Sequence, residues 1–407
     1  MKIQILDEWQ QWVEAERIIA TAFMFDWNEE ESKKKYREQA EGKAPRREET
    51  WGLFSDQDRL VSAVITSPLR LSFAGEEISA RELHMVGSLP EVRGGGNIRR
   101  LVEAILKRSA ERGELFATLM PFSAAFYRKF GFERCSALLR QRFPIGQLAG
   151  FRCDWDMRRV ESQADVDELK NLYISLAGRR NLAELRPEDF WVYHGSGEYG
   201  ERNFWEKGKV LYTYLLADGQ GKSRGYLRFM FEEGANGPFI GEMNVTELMY
   251  DGPEALRNLL GFVYGLRAKI THVRLSSPEF LDFSVLLPEC GEVERSIEGG
   301  MMARITDVPR VLERLPLPDA CCFTLEVKDS FLPGNSGIYR ISREKGRTFV
   351  SRTEGPADLT LTQETLVPLC AGAMDLDTAL FRADTILRDR EEILREIFVK
   401  RPVGLGA

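Results

Sequence analysis

Apolar residues recur at helical spacing over Trp9 to Phe23 (Trp9, Trp12, Val13, Ile18, Ile19, Phe23), which predicts an amphipathic helix behind a short strand at Ile3 to Ile5. Glu30 to Arg47 is dense in charge, as expected of a solvated helix and loop. Trp51 to Phe54, Leu60 to Ile65, and Arg70 to Phe73 with Glu77 to Ala80 read as meandering antiparallel strands, and Asp56-Gln57-Asp58 and Ala74-Gly75-Glu76 supply turn chemistry. From Glu82 to Glu133 the pattern runs strand, glycine-rich turn, helix, strand, aromatic helix. The helix keeps Ile98, Leu101, Val102, Ile105 and Leu106 on one face, and Leu115 to Leu119 follows as a strand. A further strand at Leu138 to Phe143 and the break at Pro144-Ile145-Gly146 close an α/β unit over residues 1–150.

Residues 151–304 hint at a second copy. Thr246-Glu247-Leu248-Met249-Tyr250 parallels Arg81-Glu82-Leu83-His84-Met85, then come Asp251-Gly252-Pro253-Glu254, a helical run over Ala255 to Ala268, and a strand at Val273 to Leu275 ending in Ser276-Ser277-Pro278. The first copy ends similarly, in Leu119-Met120-Pro121. Strand–helix–strand units are common enough for coincidence to stand beside duplication. If the fold is shared, the second copy has lost the arginine and the triple glycine. Residues 305–407 read as an α+β domain: a short helix at Val311 to Leu315, strands at Cys321 to Val327, Ile338 to Ile341 and Asp358 to Leu361, and helices at Thr362 to Ala371 and Thr378 to Leu387.

The chain has 407 residues, which argues for two or three domains. Its net charge of −7 argues against a nucleic-acid binder and suits a cationic substrate. No apolar run is long enough for a membrane helix, and the first residues lack a signal-peptide core. The six cysteines form no Cys-x-x-Cys pair and there are three histidines, so neither a disulfide framework nor a metal site is expected, and a reducing cytoplasm is.

Two segments carry chemistry. Arg93-Gly94-Gly95-Gly96-Asn97-Ile98 opens a helix directly after a strand, so it offers bare N–H groups and a helix N-terminus to a diphosphate. It is neither a dinucleotide fingerprint nor a P-loop, and a turn without a ligand is the plain alternative. Beyond the next strand, Phe126-Tyr127-Arg128-Lys129-Phe130-Gly131-Phe132 brings a phenol, which stays protonated at neutral pH and can donate to a leaving thiolate. A tyrosine among aromatics is also an ordinary core residue. The strand Leu83 to Val86 can pair its backbone with a pantetheine arm. Cradle and phenol together suggest acyl transfer from coenzyme A.

Val92-Arg93-x-x-Gly96 before a helix, with Phe-Tyr-Arg-Lys-Phe-Gly-Phe-Glu downstream, resembles the GNAT N-acetyltransferase superfamily. The longer run Met120 to Glu133 resembles the enhanced intracellular survival (Eis) acetyltransferases within it, and Asp329 to Ile341 fits the sterol-carrier-like domain of that family. The resemblance implies tandem GNAT domains over 1–150 and 151–304, the second degenerate, and a sterol-carrier-protein-like α+β domain over 305–407. It implies acetyl-CoA as co-substrate and no metal. The acceptor would be a small-molecule or peptide amine of aminoglycoside, polyamine or lysine type, and the assembly a hexamer. Met85, Val86 and Gly87 would hold pantetheine, Arg93, Gly94, Gly95, Gly96, Asn97 and Ile98 the diphosphate, and Tyr127 would be the general acid. Asp26 matches the acceptor-pocket region. The family uses its C-terminal carboxylate as a base, usually on an aromatic residue. This chain ends in Ala407, so either Ala407 serves or another base or water does. A non-catalytic acyl-CoA sensor or lipid binder is the rival reading.

Overall fold

The fold was taken from a computed structural model, which describes residues 1–195, 198–200, 208–234, 237–278 and 281–404. The chain forms two compact units. The first comprises Met1–Leu71, Ile78–Cys135 and Met301–Lys400; the second comprises Ser72–Glu77, Ser136–Gly300 and the tail from Arg401.

The first unit begins with β1 (Lys2–Leu6), α1 (Trp9–Phe23) and α2 (Glu29–Ala40). Its apolar stripe buries Trp12, Val13, Ile18 and Ile19 of α1, and the charged α2 contributes Tyr36 to the same cluster and buries Ser32, while most of its other side chains face solvent. Asn28 caps α2 by accepting from the N–H groups of Glu30 and Glu31. Next come β2 (Glu49–Phe54), β3 (Leu60–Phe73) and β4 (Glu76–Ser88). The strand pieces expected around Leu60 and Arg70 are one strand, and Pro68 does not interrupt it. The hairpin tip takes positive φ at Ala74 (53°) and Gly75 (82°), the twist a two-residue turn between paired strands requires.

After β4 come α3 (Asn97–Glu111), β5 (Phe116–Leu119), α4 (Ala124–Arg128) and β6 (Glu133–Arg134). The sheet is ordered β1-β2-β3-β4-β5, then the strand Met302–Ile305, then β6. Met302–Ile305 runs antiparallel to β5 along the whole of β5, from Met302 opposite Leu119 to Ile305 opposite Phe116. The strand expected at Leu138 to Phe143 forms as Ala137–Pro144, but it is hydrogen-bonded into the second unit's sheet. The linear divisions at 150 and 304 thus differ from the sheets the strands join.

The first unit also holds the C-terminal sheet, ordered Arg347–Thr353, Gly337–Glu344, Cys322–Lys328, Leu359–Thr362 and Ile386–Leu387. The helix expected over Thr378 to Leu387 is confined to Leu376–Ala379. Tertiary pairing overrides helical spacing here. Ile386–Leu387 pairs with Leu359 and Thr360, and Asp384 accepts from the Thr362 and Thr365 hydroxyls.

The second unit is built on a sheet ordered Glu294–Gly299, Ala137–Pro144, Ile270–Pro278, Gly237–Tyr250, Ser223–Gly234, Leu211–Ala217 and Asp156–Arg159. The helix Pro253–Gly265 packs in the larger of two apolar clusters on this sheet, and Gln163–Ala177 packs in the other. Glu247 is buried in the second cluster. It accepts from the hydroxyls of Tyr226 (2.8 Å) and Tyr199 (3.1 Å) and pairs with Arg186 (3.0 Å) and Arg228 (3.2 Å). Burial opposes its charge, but the two guanidiniums prevail and hold the carboxyl down at about 2.

Candidate active site

The site forms where β4 parts from β5. Their parallel pairing runs through Ala80–Phe116, Arg81–Ala117 and Glu82–Thr118 and no further. Past Glu82, the β5-side edge of β4 is unpaired among the described residues through Met85, Val86 and Gly87. Leu83 and Val86, three residues apart, both enter the α3-side core, so the strand alternation breaks between them. Gly87 lies under α1, where a Cβ would stand 3.0 Å from Ile19 Cα, so even an alanine would need the helix to give by a few tenths of an ångström.

The glycine loop follows at once. A 3₁₀ turn at Pro90–Val92 leads into Gly94 and Gly96, whose φ values of 83° and 74° favour glycine. The first bond into α3 runs from the Arg100 N–H to Gly96 O at 3.1 Å. Among the described residues no backbone acceptor pairs the N–H groups of Gly94 to Arg99. All three glycines are exposed, and a Cβ at Gly94 or Gly96 would meet nothing within 4 Å, so the loop is open to an approaching group. Asn97 is buried behind it, with Nδ2 3.5 Å from Val92 O and an unpartnered Oδ1. Ile98 packs against the core. Arg93 donates to Ala22 O at 3.1 Å, tying the loop to the end of α1. This donor set, bare amides at a helix N-terminus flanked by arginines, fits a diphosphate.

Tyr127 lies on α4, whose N-cap Ser123 accepts from the Phe126 N–H at 3.3 Å. The rings of Phe122, Phe126, Phe130 and Phe132 surround it with centroids 5.1 to 6.4 Å away. Burial pushes its phenol up to about 12, so it carries its proton at neutral pH. Its hydroxyl has no hydrogen-bond partner among the described residues.

Sequence reasoning missed what holds α4 in place. Arg304, fully buried on the inserted strand, donates to Phe130 O at 2.6 Å and pairs with buried Asp329 at 2.5 Å. Asp329 also accepts from the N–H groups of Phe331 (3.0 Å) and Leu332 (2.9 Å) and from Asn335 (3.2 Å). The Phe331 ring packs 5.5 Å from that of Phe130, centroid to centroid, and the Arg99 guanidinium lies 4.8 Å from the centroid of the same Phe331 ring. One segment of the C-terminal domain therefore touches both the helix that follows the glycine loop and the aromatic segment after α4. Gly131 has φ 79°, and a Cβ there would stand 1.5 Å from an Arg304 nitrogen. That glycine was legible in the motif; its reason was not.

Two expected residues are not joined to this group. Asp26 is exposed in the segment after α1, past the stacked Phe23 and Phe25, and makes no hydrogen bond or ion pair among the described residues. Ala407 lies outside the described residues; the described tail ends at Gly404, whose N–H donates to Asn181 O at 2.8 Å within the second unit. Among the described residues no group of three or more His, Cys, Asp or Glu is placed to hold a metal, and no helix is long and apolar enough to cross a membrane.

The second copy keeps the parting of strands but not the cradle. Gly237–Tyr250 pairs with Ile270–Pro278 only from Gly241–Ile270 to Val245–Leu275. The turn into the next helix is Asp251-Gly252, and Pro253 at the first helical position removes an N–H. Asp251 is already paired with Arg179 (2.7 Å) and Arg224 (3.1 Å), and its carboxylate would repel a diphosphate.

An open strand edge, a helix-borne anion cradle and a buried phenol define a coenzyme-A-dependent acyl-transfer fold. Family comparison agrees. Residues 5–135 match an acetyltransferase (GNAT) domain, residues 183–305 another acetyltransferase (GNAT) domain, and residues 308–404 a sterol carrier protein domain. The chain thus carries two acetyltransferase (GNAT) domains followed by a sterol carrier protein domain. Among solved structures it is similar to a probable N-acyltransferase from Enterococcus faecalis V583, at 22% identity and TM-score 0.82, over 99% of this chain and 98% of that one. A GCN5-related N-acetyltransferase from Anabaena variabilis matches at 20% identity and TM-score 0.81 over 100% of both chains. Eis1 from Mycobacterium abscessus matches at 19% identity and TM-score 0.80, over 100% of this chain and 99% of that one. No curated protein sequence matches the chain.

Proposed function

We propose that this protein transfers acetyl from acetyl-CoA to a primary amine by direct attack in a ternary complex, with its chemistry confined to the first GNAT domain. The observation that carries this reading is the β4 edge opening at Glu82 beside the unpaired Gly94–Arg99 amides, a combination the second copy lacks. The geometry supports the following roles. Amides of Gly94 to Ile98 and the Arg93 guanidinium bind the diphosphate, and the edge at Met85, Val86 and Gly87 pairs with pantetheine and polarises the thioester carbonyl. Tyr127 donates its proton to the departing thiolate. No acyl-enzyme is involved: Cys135 and Cys370 are buried thiols whose ionisation burial suppresses, and neither has a paired base.

The acceptor is a cationic amine of polyamine, aminoglycoside or lysine type, in keeping with the net charge of −7, and Asp26 is its candidate contact. The six free cysteines suit a reducing cytoplasm, and the family's hexamer is the assembly to look for. The test is acetyl-CoA turnover against a panel of such amines, with Tyr127→Phe. The variant should lose about 10²-fold in kcat and keep its acetyl-CoA affinity. An unchanged rate removes Tyr127 from the mechanism. Tight acetyl-CoA binding with no turnover on any amine would favour a sensor instead.

A further inference from the structure

Amide formation strips a proton from the attacking amine, and Tyr127, a donor, is not the group to take it. The first unit contains a single imidazole, His84. His84 follows Leu83, whose side chain enters the α3-side core, so the imidazole stands on the opposite face of β4, the face α1 covers at Gly87. It sits one residue before Met85, at the start of the unpaired edge. Its Nε2 lies 2.8 Å from the Ser67 hydroxyl on β3 and 3.5 Å from the Glu82 carboxylate on its own strand. Nδ1 has no partner among the described residues, and 34% of the side chain is exposed. The polar groups seen at the ring are Ser67 on β3 and Glu82 on its own strand; three residues on, at Gly87, α1 presents the apolar Ile19 and Ala22. The ring is thus held at one nitrogen and open at the other, the arrangement of an oriented base.

We propose that His84 is the proton acceptor for the attacking amine, with Ser67 and Glu82 fixing the ring. The inference rests on the acyl-transfer reading above. As the amine nitrogen bonds to the thioester carbon and the C–S bond breaks, one N–H proton passes to His84 Nδ1, directly or through one water. Tyr127 gives its proton to the sulfur. Solvent then returns a proton to Tyr127 and takes one from His84, so both side chains regain their starting state; the further proton that a cationic amine sheds to attack as its free base also leaves to solvent. A strand-borne imidazole would serve whatever residue ends the chain.

The test uses the full-length protein, acetyl-CoA and an amine that the wild type acetylates, with kcat/KM followed across about pH 5.5 to 9. His84→Gln keeps a polar side chain facing Ser67. It should lower kcat about 10²-fold near neutrality, leave acetyl-CoA affinity unchanged, and move the acid limb of the profile to higher pH. Ser67→Ala should shift the same limb with a smaller loss of about 3- to 10-fold. His84→Gln with activity within about threefold of wild type and the same limb overturns the proposal. Should that variant lose acetyl-CoA binding, Ser67→Ala decides, and an unchanged profile counts against His84. A wild type that acetylates no amine overturns the acyl-transfer reading itself, and this inference with it.

Discussion

Replacing Asp329 with alanine strands a buried charge. The Arg304 guanidinium is fully buried and its partner carboxylate is nearly so, at 2.5 Å. Removing one member of such a pair costs about 3–5 kcal/mol, because the other is left uncompensated out of water. Three more hydrogen bonds to the carboxylate disappear, from Phe331, Leu332 and Asn335. Part of their loss is offset as the segment relaxes, so ~4 kcal/mol is the working figure. At roughly 2–4 °C per kcal/mol for a unit of this size, the melting transition should fall by about 8–16 °C. Asp329→Asn keeps an acceptor for the Phe331 and Leu332 amides and should cost about 1–3 kcal/mol. Thermal melts of the single variants and of Arg304→Met/Asp329→Ala form a double-mutant cycle. The double variant should be less destabilised than the summed singles by at least ~1 kcal/mol. Strict additivity, or a fall under about 3 °C for Asp329→Ala, would refute the argument that this pair holds the aromatic helix to the C-terminal segment. Because Arg304 also holds Phe130 O, the same variant should lower kcat more than a surface change of equal stability.

Gly131→Ala places a Cβ against the Arg304 guanidinium at φ 79° and should give a lower melting temperature or insoluble protein; wild-type melting would exclude the packing described. Gly96→Val forces a branched residue into φ 74°, and should raise the acetyl-CoA Kd severalfold at a cost of about 1–2 kcal/mol in stability, read by calorimetry and melting. Glu247, held at about 2 in the fold, adds stability that is present above the ordinary carboxylate range and lost as pH falls from about 4.5 toward 2. Its contribution is on the order of 3 kcal/mol, so Glu247→Gln should be destabilised at pH 7 and show a shallower loss on acidification than wild type. Parallel melting-versus-pH curves for the two would contradict this.

Elements with strong periodicity were readable in the sequence. Trp9–Phe23 has the extent its apolar spacing predicts, and the glycine loop opens α3 where expected. The aromatic helix was legible as a motif, though it is shorter than its apolar run, because Gly131 turns the chain away. What pairs with what was not readable. A strand carries no mark of the sheet that will accept it, so Ala137–Pro144 was assigned by chain order, and Met302–Ile305, cut by the division at 304, was not read as a strand at all. Nor does an arginine announce burial: Arg304 reads as a surface residue until Asp329, distant in sequence, is set beside it. Thr378 to Leu387 failed as a helix because side-chain bonds to Asp384 outweighed a weak propensity.

The strand Met302–Ile305 has a consequence for synthesis. On the ribosome, residues 1–135 emerge with β5 lacking its neighbour on one side, and that edge stays open until residue 305 is made. Meanwhile Ala137–Pro144 waits for Ile270–Pro278. The nascent first domain therefore carries an unpaired β5 edge, and an empty Arg304 site beneath Gly131, while residues 136–304 are made. A fragment cut near residue 150 would keep the glycine loop and Tyr127 in its sequence, yet would hold them in the unfinished sheet of a translation intermediate.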